Sequence, residues 1–338
     1  KPFKRASASS VVHRDGSRHR GTGFIQWTFA DAHPAAYDVP TRLALMDEIG
    51  VWAQIVYPNT AGFGGQAFGS VDDPVLKNLC ATLYNDAMAE MQEAGKGRLF
   101  PLALLPWWDV EASVAEAERI ADMGLRGVNM TSDPQQGGAP DLNDPAWDPL
   151  WEVCADRELP VNFHIGASDS TVSWFGNSPW PSLGDDAKLA IGSAMMYLTN
   201  AKVIANLIIS GLLERHPKVK FVSVESGIGW IPFLLEALEH QLGETSPGAL
   251  DHLTLTPLEY FKRQIYACYW FEKADVKHAI DILGADNVLF ETDFPHPTCL
   301  YPDSMVTAAA GLANLSDDTR RKVLQDNAAK LYRIDLPR

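Results

Sequence analysis

Lysine and arginine are scarce in this chain of 338 residues: 28 stand against 43 aspartates and glutamates, a formal charge of −15 at neutral pH. A field of that sign repels phosphate backbones, which argues against a nucleic-acid partner. Long apolar runs are missing as well. Hydrophobic residues come in short stretches cut by charge, glycine or proline, none near the roughly 18–20 needed to cross a bilayer, so no membrane partner is expected. The basic opening KPFKRASASS has no apolar region behind it and does not read as a secretory signal. The four cysteines (Cys80, Cys154, Cys268, Cys299) lie far apart with no CxxC pair, too thin for a disulfide framework. A cytoplasmic chain with reduced, mostly buried thiols is the expectation. Also absent are G-x-x-x-x-G-K-[ST], a G-x-G-x-x-G after a strand, H-E-x-x-H and the G-x-S-x-G elbow, whose leading glycine is missing before Glu225-Ser226-Gly227.

What the chain has is one grammar, repeated. A short apolar run is followed by a polar turn and then by a stretch with apolar residues three and four apart. Strands are expected at Ala53–Tyr57, Phe100–Leu105, Gly127–Met130, Pro160–His164, Val219–Val224, Gln264–Tyr266 and Val288–Phe290. Helices are expected at Thr41–Ile49, Pro74–Ala94, Val110–Met123, Trp147–Arg157, Ala194–Leu213, Ile231–Leu242, Lys273–Leu283 and Asp317–Tyr332. Glycines at 50, 124, 211 and 284 close helices, and Asp72-Asp73-Pro74 and Ser316-Asp317-Asp318 open them. Alternation of this kind implies a parallel sheet with right-handed crossovers. The fold class is therefore α/β, and the number of units fits a single-domain (β/α)8 TIM barrel that is one unit short at the front. There, residues 1–38 read as a hairpin-like segment with arms at Val11–Gly16 and Gly21–Trp27. The Gly/Ser/Pro-rich stretch 166–184 reads as a long binding loop after a strand.

In a (β/α) barrel the C-terminal strand ends share one bowl. Reading those ends off the sequence places His164, Glu225, Asp293 and His296 there, together with Tyr57, Trp107 and Asn129. Carboxylates directly after apolar strands are costly to bury unpaired, and a divalent metal or a paired cation removes that cost. His164 and Asp293 read as metal ligands; Asp293, Glu225 and His296 read as catalytic groups. More ordinary roles compete: His164 bonding a nearby carbonyl, Glu225 capping the helix near Ile231, His296 lining the rim. Trp174, Phe175 and Trp180 in the long loop, with Tyr57, Trp107 and Asn129, are the expected substrate-binding residues, their flat faces suiting a planar ligand.

LMDEIGVWAQIVYPN, GRLFPLALLPWWD, MGLRGVNM, LNDPAWDPLWEVCADRELPVNFHIG, VSVESGIGWIPFLLEALE and VLFETDFPHPT together resemble the amidohydrolase-2 family, in order from about Thr41 to about Leu331. This is the branch that contains aminocarboxymuconate-semialdehyde decarboxylase and γ-resorcylate decarboxylase. The resemblance implies a metal-dependent barrel enzyme with zinc, or alternatively manganese. It implies a small aromatic or unsaturated carboxylic acid as substrate, either decarboxylated without oxidation or hydrolysed, and a homo-oligomer; the aromatic residues of the loops make a dimer the expected form. It matches His164 to the family's mid-barrel ligand histidine and Asp293 to its last-strand aspartate, a ligand and acid/base. Two features depart from it. Glu225 stands where the family's decarboxylases have a catalytic histidine. The ligand pair that the family carries on its first strand is also not seen at the front of the chain, and is expected upstream of Lys1. Two other readings remain open, a ligand-binding barrel without catalysis and a metal-free hydrolase working with the Glu225/Asp293 pair.

Overall fold

The computed structural model describes residues 9–59, 61–245, 248 and 250–337. Its parallel strands are β1 (Gln54–Val56), β2 (Leu99–Pro101), β3 (Ala103–Leu104), β4 (Val128–Asn129), β5 (Val161–His164), β6 (Phe221–Val224), β7 (Ile265–Tyr269) and β8 (Val288–Phe290). The stretch expected as one strand over 100–105 is two. β2 pairs with β1, while β3 begins a six-stranded sheet that runs in chain order to β8. Leu102 is the hinge: its N–H donates to the Val56 carbonyl, and the next N–H, of Ala103, donates to Gly127 on the other side. The seven units thus form a continuous curving parallel array of the (β/α)-barrel kind. Among the described residues no strand lies between β8 and β1.

Helices wrap the outside, and their inward faces, with Trp147, Trp151, Ile204, Leu207 and Phe261 fully or almost fully buried, meet the outward faces of the strands. Inside the array lie Leu102, Val222, Val224, Cys268 and Leu289. Tyr332, from the end of the last helix, enters this interior, buried to 1% exposure. Its hydroxyl donates to Asn162 Oδ1 at 2.6 Å, and Tyr57 donates to the same oxygen at 3.0 Å. The Asn162 amide donates in turn to Val128 and Pro160. The C-terminal segment thereby closes the floor beneath the strand array.

Local differences from the sequence expectation have local causes. The front segment makes an antiparallel bridge between Val12 and Arg18, but Gly23–Gln26 is a 3₁₀ turn and not a hairpin arm. The helix expected over 194–213 is three, Asp185–Tyr197, Asn200–Ile209 and Leu212–Arg215, with Gly211 at φ 78° before the last. The expected start at Lys273 moves to Val276, behind a left-handed Asp275. Pro257–Gln264 is a helix the periodicity missed, although Thr256 and Glu259 spell its capping box.

Removing the floor tests its contribution. Tyr332→Ala should lower the free energy of unfolding by about 3–5 kcal/mol, as other buried aromatic truncations do. Tyr332→Phe, which deletes only the bond to Asn162, should cost about 1 kcal/mol. Urea titrations followed by circular dichroism measure both, and equal losses would show that the hydroxyl, not the ring, carries the effect.

Candidate metal and catalytic centre

Three strand exits deliver the chemistry. β5 ends in His164, β6 is followed at once by Glu225, and β8 by Glu291, Asp293 and His296. Glu225 and Asp293 both hold left-handed backbone, at φ 57° and 55°. Non-glycine residues rarely adopt that region, and here it turns each carboxylate sharply off its strand toward the axis. His164 Nδ1 donates to the Ile165 carbonyl at 2.6 Å, which leaves Nε2 facing Glu225 Oε2 at 2.7 Å. Both residues are buried, 6% and 5% exposed. His296, on the open side, places Nδ1 3.7 Å from Glu225 Oε1 and 3.6 Å from Asp293 Oδ1. Thr298 donates its hydroxyl to Asp293 Oδ2, and Glu225 N–H donates to Glu291 Oε2.

Charge sorts these groups. Burial pushes the Glu225 carboxyl up, but His164 and then His296 outweigh it and hold it down at about 2, so Glu225 is ionised. Asp293 is pushed up to about 6 by burial and by the charge of Glu225, only partly offset by His296. Glu291 goes well above the usual carboxylate range, through burial and then the charges of Glu225 and Asp293. Burial works against the His296 cation, yet Asp293 and Glu225 raise its pKa well above the ordinary imidazole value. One ionised acid, one poised near neutrality and one held neutral therefore share a single mouth.

The expected substrate residues divide. Tyr57 lies against the His164 ring, centroids 5.5 Å apart. Asn129 and Trp107 spend their N–H groups elsewhere: on the carbonyls of Phe63 and Gly64 respectively. Trp174 is half-buried, while Phe175 and Trp180 are 47% and 69% exposed. The helix near Ile231 is not capped by Glu225; Glu272 accepts from the N–H groups of Ile228 and Gly229 instead. The one E-x-H in the chain, Glu214-Arg215-His216, closes a helix, and His216 bonds Asp148.

Sequence reasoning passed over Phe63. Its ring stacks on His164 at 4.0 Å and 18°, and meets His296 edge-on at 5.6 Å. The glycines around it were the available signal: a Cβ on Gly64 would sit 2.1 Å from the Ala167 carbonyl oxygen, so only glycine lets this loop approach so closely. Gln66 ties the loop down through the Gly166 carbonyl. Glu291 stands at the same strand exit as Asp293 in the sequence reading but was given no role there; Thr298 was passed over, since nothing local distinguishes it from a surface residue.

These residues suit a divalent cation. Glu225 Oε2, Glu291 Oε1 and His296 Nδ1 are buried atoms without a hydrogen-bond partner. Buried polar atoms rarely stay unsatisfied, and a carboxylate and imidazole donor set fits zinc or manganese. A cation bound among them must displace the His296 proton at neutral pH, and below about pH 6 the Asp293 proton as well. Affinity for Mn(II), measured by calorimetry, should therefore fall by about twentyfold between pH 7 and pH 6, and by roughly fiftyfold between pH 6 and pH 5.

Known proteins place this geometry. A family model described as Amidohydrolase matches residues 26–334. The chain is 25% identical over 304 residues to γ-resorcylate decarboxylase of Rhizobium sp., covering 87% of both chains. It is 26% identical over 312 residues to the γ-resorcylate decarboxylase of Polaromonas sp., again with 87% of each covered. Among solved structures, 5-carboxyvanillate decarboxylase from Sphingomonas paucimobilis superposes with a TM-score of 0.68 at 26% identity, over 87% of this chain and 82% of that one. An amidohydrolase from Mycobacterium avium subsp. paratuberculosis shares the fold at a TM-score of 0.71, with 23% identity, over 89% of this chain and 76% of that one. A match spanning nearly the whole chain, onto the strands that carry His164, Glu225 and Asp293, leaves one conclusion: this protein belongs to the amidohydrolase family.

Proposed function

We propose that this protein is a metal-dependent carboxy-lyase that removes CO2, without oxidation, from a small aromatic carboxylic acid. The observation that carries the reading is the meeting of His164, Glu225, Asp293 and His296 at one buried mouth. The relatives named γ-resorcylate and 5-carboxyvanillate decarboxylase support the reaction and the substrate class. A dihydroxybenzoic acid decarboxylase from Polaromonas sp. that shares the fold holds manganese, which favours manganese beside zinc here. Four free cysteines support a cytoplasmic enzyme, and the exposed loop aromatics Phe175 and Trp180 support a dimer. No helix among the described residues is long and apolar enough to cross a membrane.

The reaction needs a proton at the ring carbon that bears the carboxylate. Once that carbon is protonated, the bond to the carboxylate breaks, its electron pair restores the ring and CO2 leaves. A divalent metal bound here would supply Lewis-acid polarisation of the substrate's oxygens. Asp293 and His164 are the residues that the family resemblance places on it. Glu225 is ionised and has no proton to give. Asp293, poised near pH 6, can both carry and release one; Thr298 donates to its Oδ2, and His296 Nδ1 lies 3.6 Å from its Oδ1. The flat face of Phe63 and the ring of Tyr57 bound the space beside His164 and suit an aromatic ring.

Purified protein loaded with Mn(II) or Zn(II) should release CO2 from one or more hydroxybenzoates carrying a hydroxyl beside the carboxylate. Asp293→Asn should lower turnover by about 10²–10⁴-fold while leaving the circular dichroism spectrum unchanged. Undiminished turnover after exhaustive chelation would refute the metal dependence.

A further inference from the structure

We infer that Glu272 is a positioning residue: from beyond the exit of β7 it clamps the turn that follows β6, and so fixes where Glu225 presents its carboxylate. The inference rests on the carboxy-lyase reading above and goes beyond it by naming a support that acts through Glu225. β6 ends at Val224, and Glu225 and Gly227, just after it, both hold left-handed backbone, at φ 57° and 69°. A glutamate keeps such a conformation only where its surroundings hold it there. Glu272 supplies the hold, since its Oε1 accepts from the Ile228 N–H at 2.8 Å and from the Gly229 N–H at 2.7 Å. Both N–H groups lie just ahead of the helix Ile231–Thr245, where free donors and the helix dipole favour a carboxylate oxygen. The fit leaves no slack: a Cβ on Gly227 would sit 2.9 Å from that same oxygen.

A clamp works only if it is itself fixed. Tyr269 and Trp270, which lead to Glu272, are fully buried, and the Tyr269 hydroxyl donates to the Ala308 carbonyl at 3.3 Å. A Cβ on Gly311 would meet the Glu272 carbonyl oxygen at 2.8 Å, so the end of the helix Ser304–Gly311 lies directly against the Glu272 backbone. Glu272 Oε2 is buried without a hydrogen-bond partner, and Oε1 carries both bonds to the turn. What the clamp places has little tolerance. Glu225 Oε2 lies 2.7 Å from His164 Nε2 and Oε1 lies 3.7 Å from His296 Nδ1, while the Glu225 N–H is held by Glu291 from the exit of β8. A turn displaced by about 1 Å would part the closer contact, and shifts of that size cost activity.

The test reads His164 directly, by imidazole nitrogen magnetic resonance of the full chain without added metal. Glu225→Gln identifies the His164 signal that answers to Glu225. Glu272→Ala should move that signal the same way, and the double variant should move it no further than Glu225→Gln alone. Glu272→Gln keeps the accepting oxygen and should leave the signal in place. Glu272→Asp keeps the charge but is one methylene too short; it should repeat the alanine result, and serves where melts show that Glu272→Ala does not fold. In turnover of a hydroxybenzoate by the metal-loaded enzyme, Glu272→Ala should lower kcat by about tenfold to a hundredfold and change KM by less than about threefold. Should Glu272→Ala and Glu272→Asp keep the wild-type His164 signal, or shift it additively with Glu225→Gln, the positioning role is overturned and the carboxy-lyase reading survives. Should the signals move as expected while wild type decarboxylates no hydroxybenzoate, that reading falls and the positioning of Glu225 stands.

Discussion

Three carboxylates and two imidazoles, buried or half-buried at one mouth, are the constraint around which this molecule is arranged. Taking an ionised carboxylate out of water costs several kcal/mol, and the group goes neutral unless something opposes it. Here the opposition is uneven. His164 and His296 keep Glu225 ionised, Glu291 has only a backbone N–H and the Cys268 thiol and turns neutral, and Asp293 is left between the two. Chemically alike groups are thus driven to different protonation states by their surroundings, the usual way a protein makes acid and base coexist near pH 7.

Such a cluster holds its shape only if its supports are rigid. The supports are mostly backbone groups and loops, not further charges. The Ile165 carbonyl orients His164, the Glu225 N–H holds Glu291, and Thr298 holds Asp293. Asn129 and Trp107 fasten the loop that lays Phe63 on His164. Two residues that looked like substrate contacts therefore reach the site through that loop. Below, Asn162 links Tyr57, beside His164, to Tyr332 in the floor, so one buried amide joins the mouth of the array to its base.

The family resemblance implies a histidine at the sixth-strand exit, where this chain has Glu225. A histidine in its place could carry a positive charge and a proton; the ionised glutamate carries neither. The ionised Glu225 makes the sixth-strand exit negative, and the carboxyl poised near pH 6 is Asp293 on the last strand, which shares His296 with it. Function in this family lives in such strand-end residues, while the scaffold beneath stays the same.

The range of each interaction sets how much of the molecule was legible in advance. Strands and most helices are written in short-range patterns, so β5, β6 and β8 could be read from VNFH, FVSV and VLF, and their exits from the polar residues next in the chain. His164, Glu225, Asp293 and His296 were visible for the same reason: polar groups directly after apolar strands have no local explanation. The Leu102 hinge, the broken helix over 185–215 and the role of Phe63 were not visible, since each depends on a partner distant in the chain. Sequence alone determined which side chains stand at the strand ends. Only the tertiary structure decided which of them touch, and with that which acid is ionised, which is neutral and which lies beside His296, because a charge inside a protein answers to its neighbours in space and not to those in the chain.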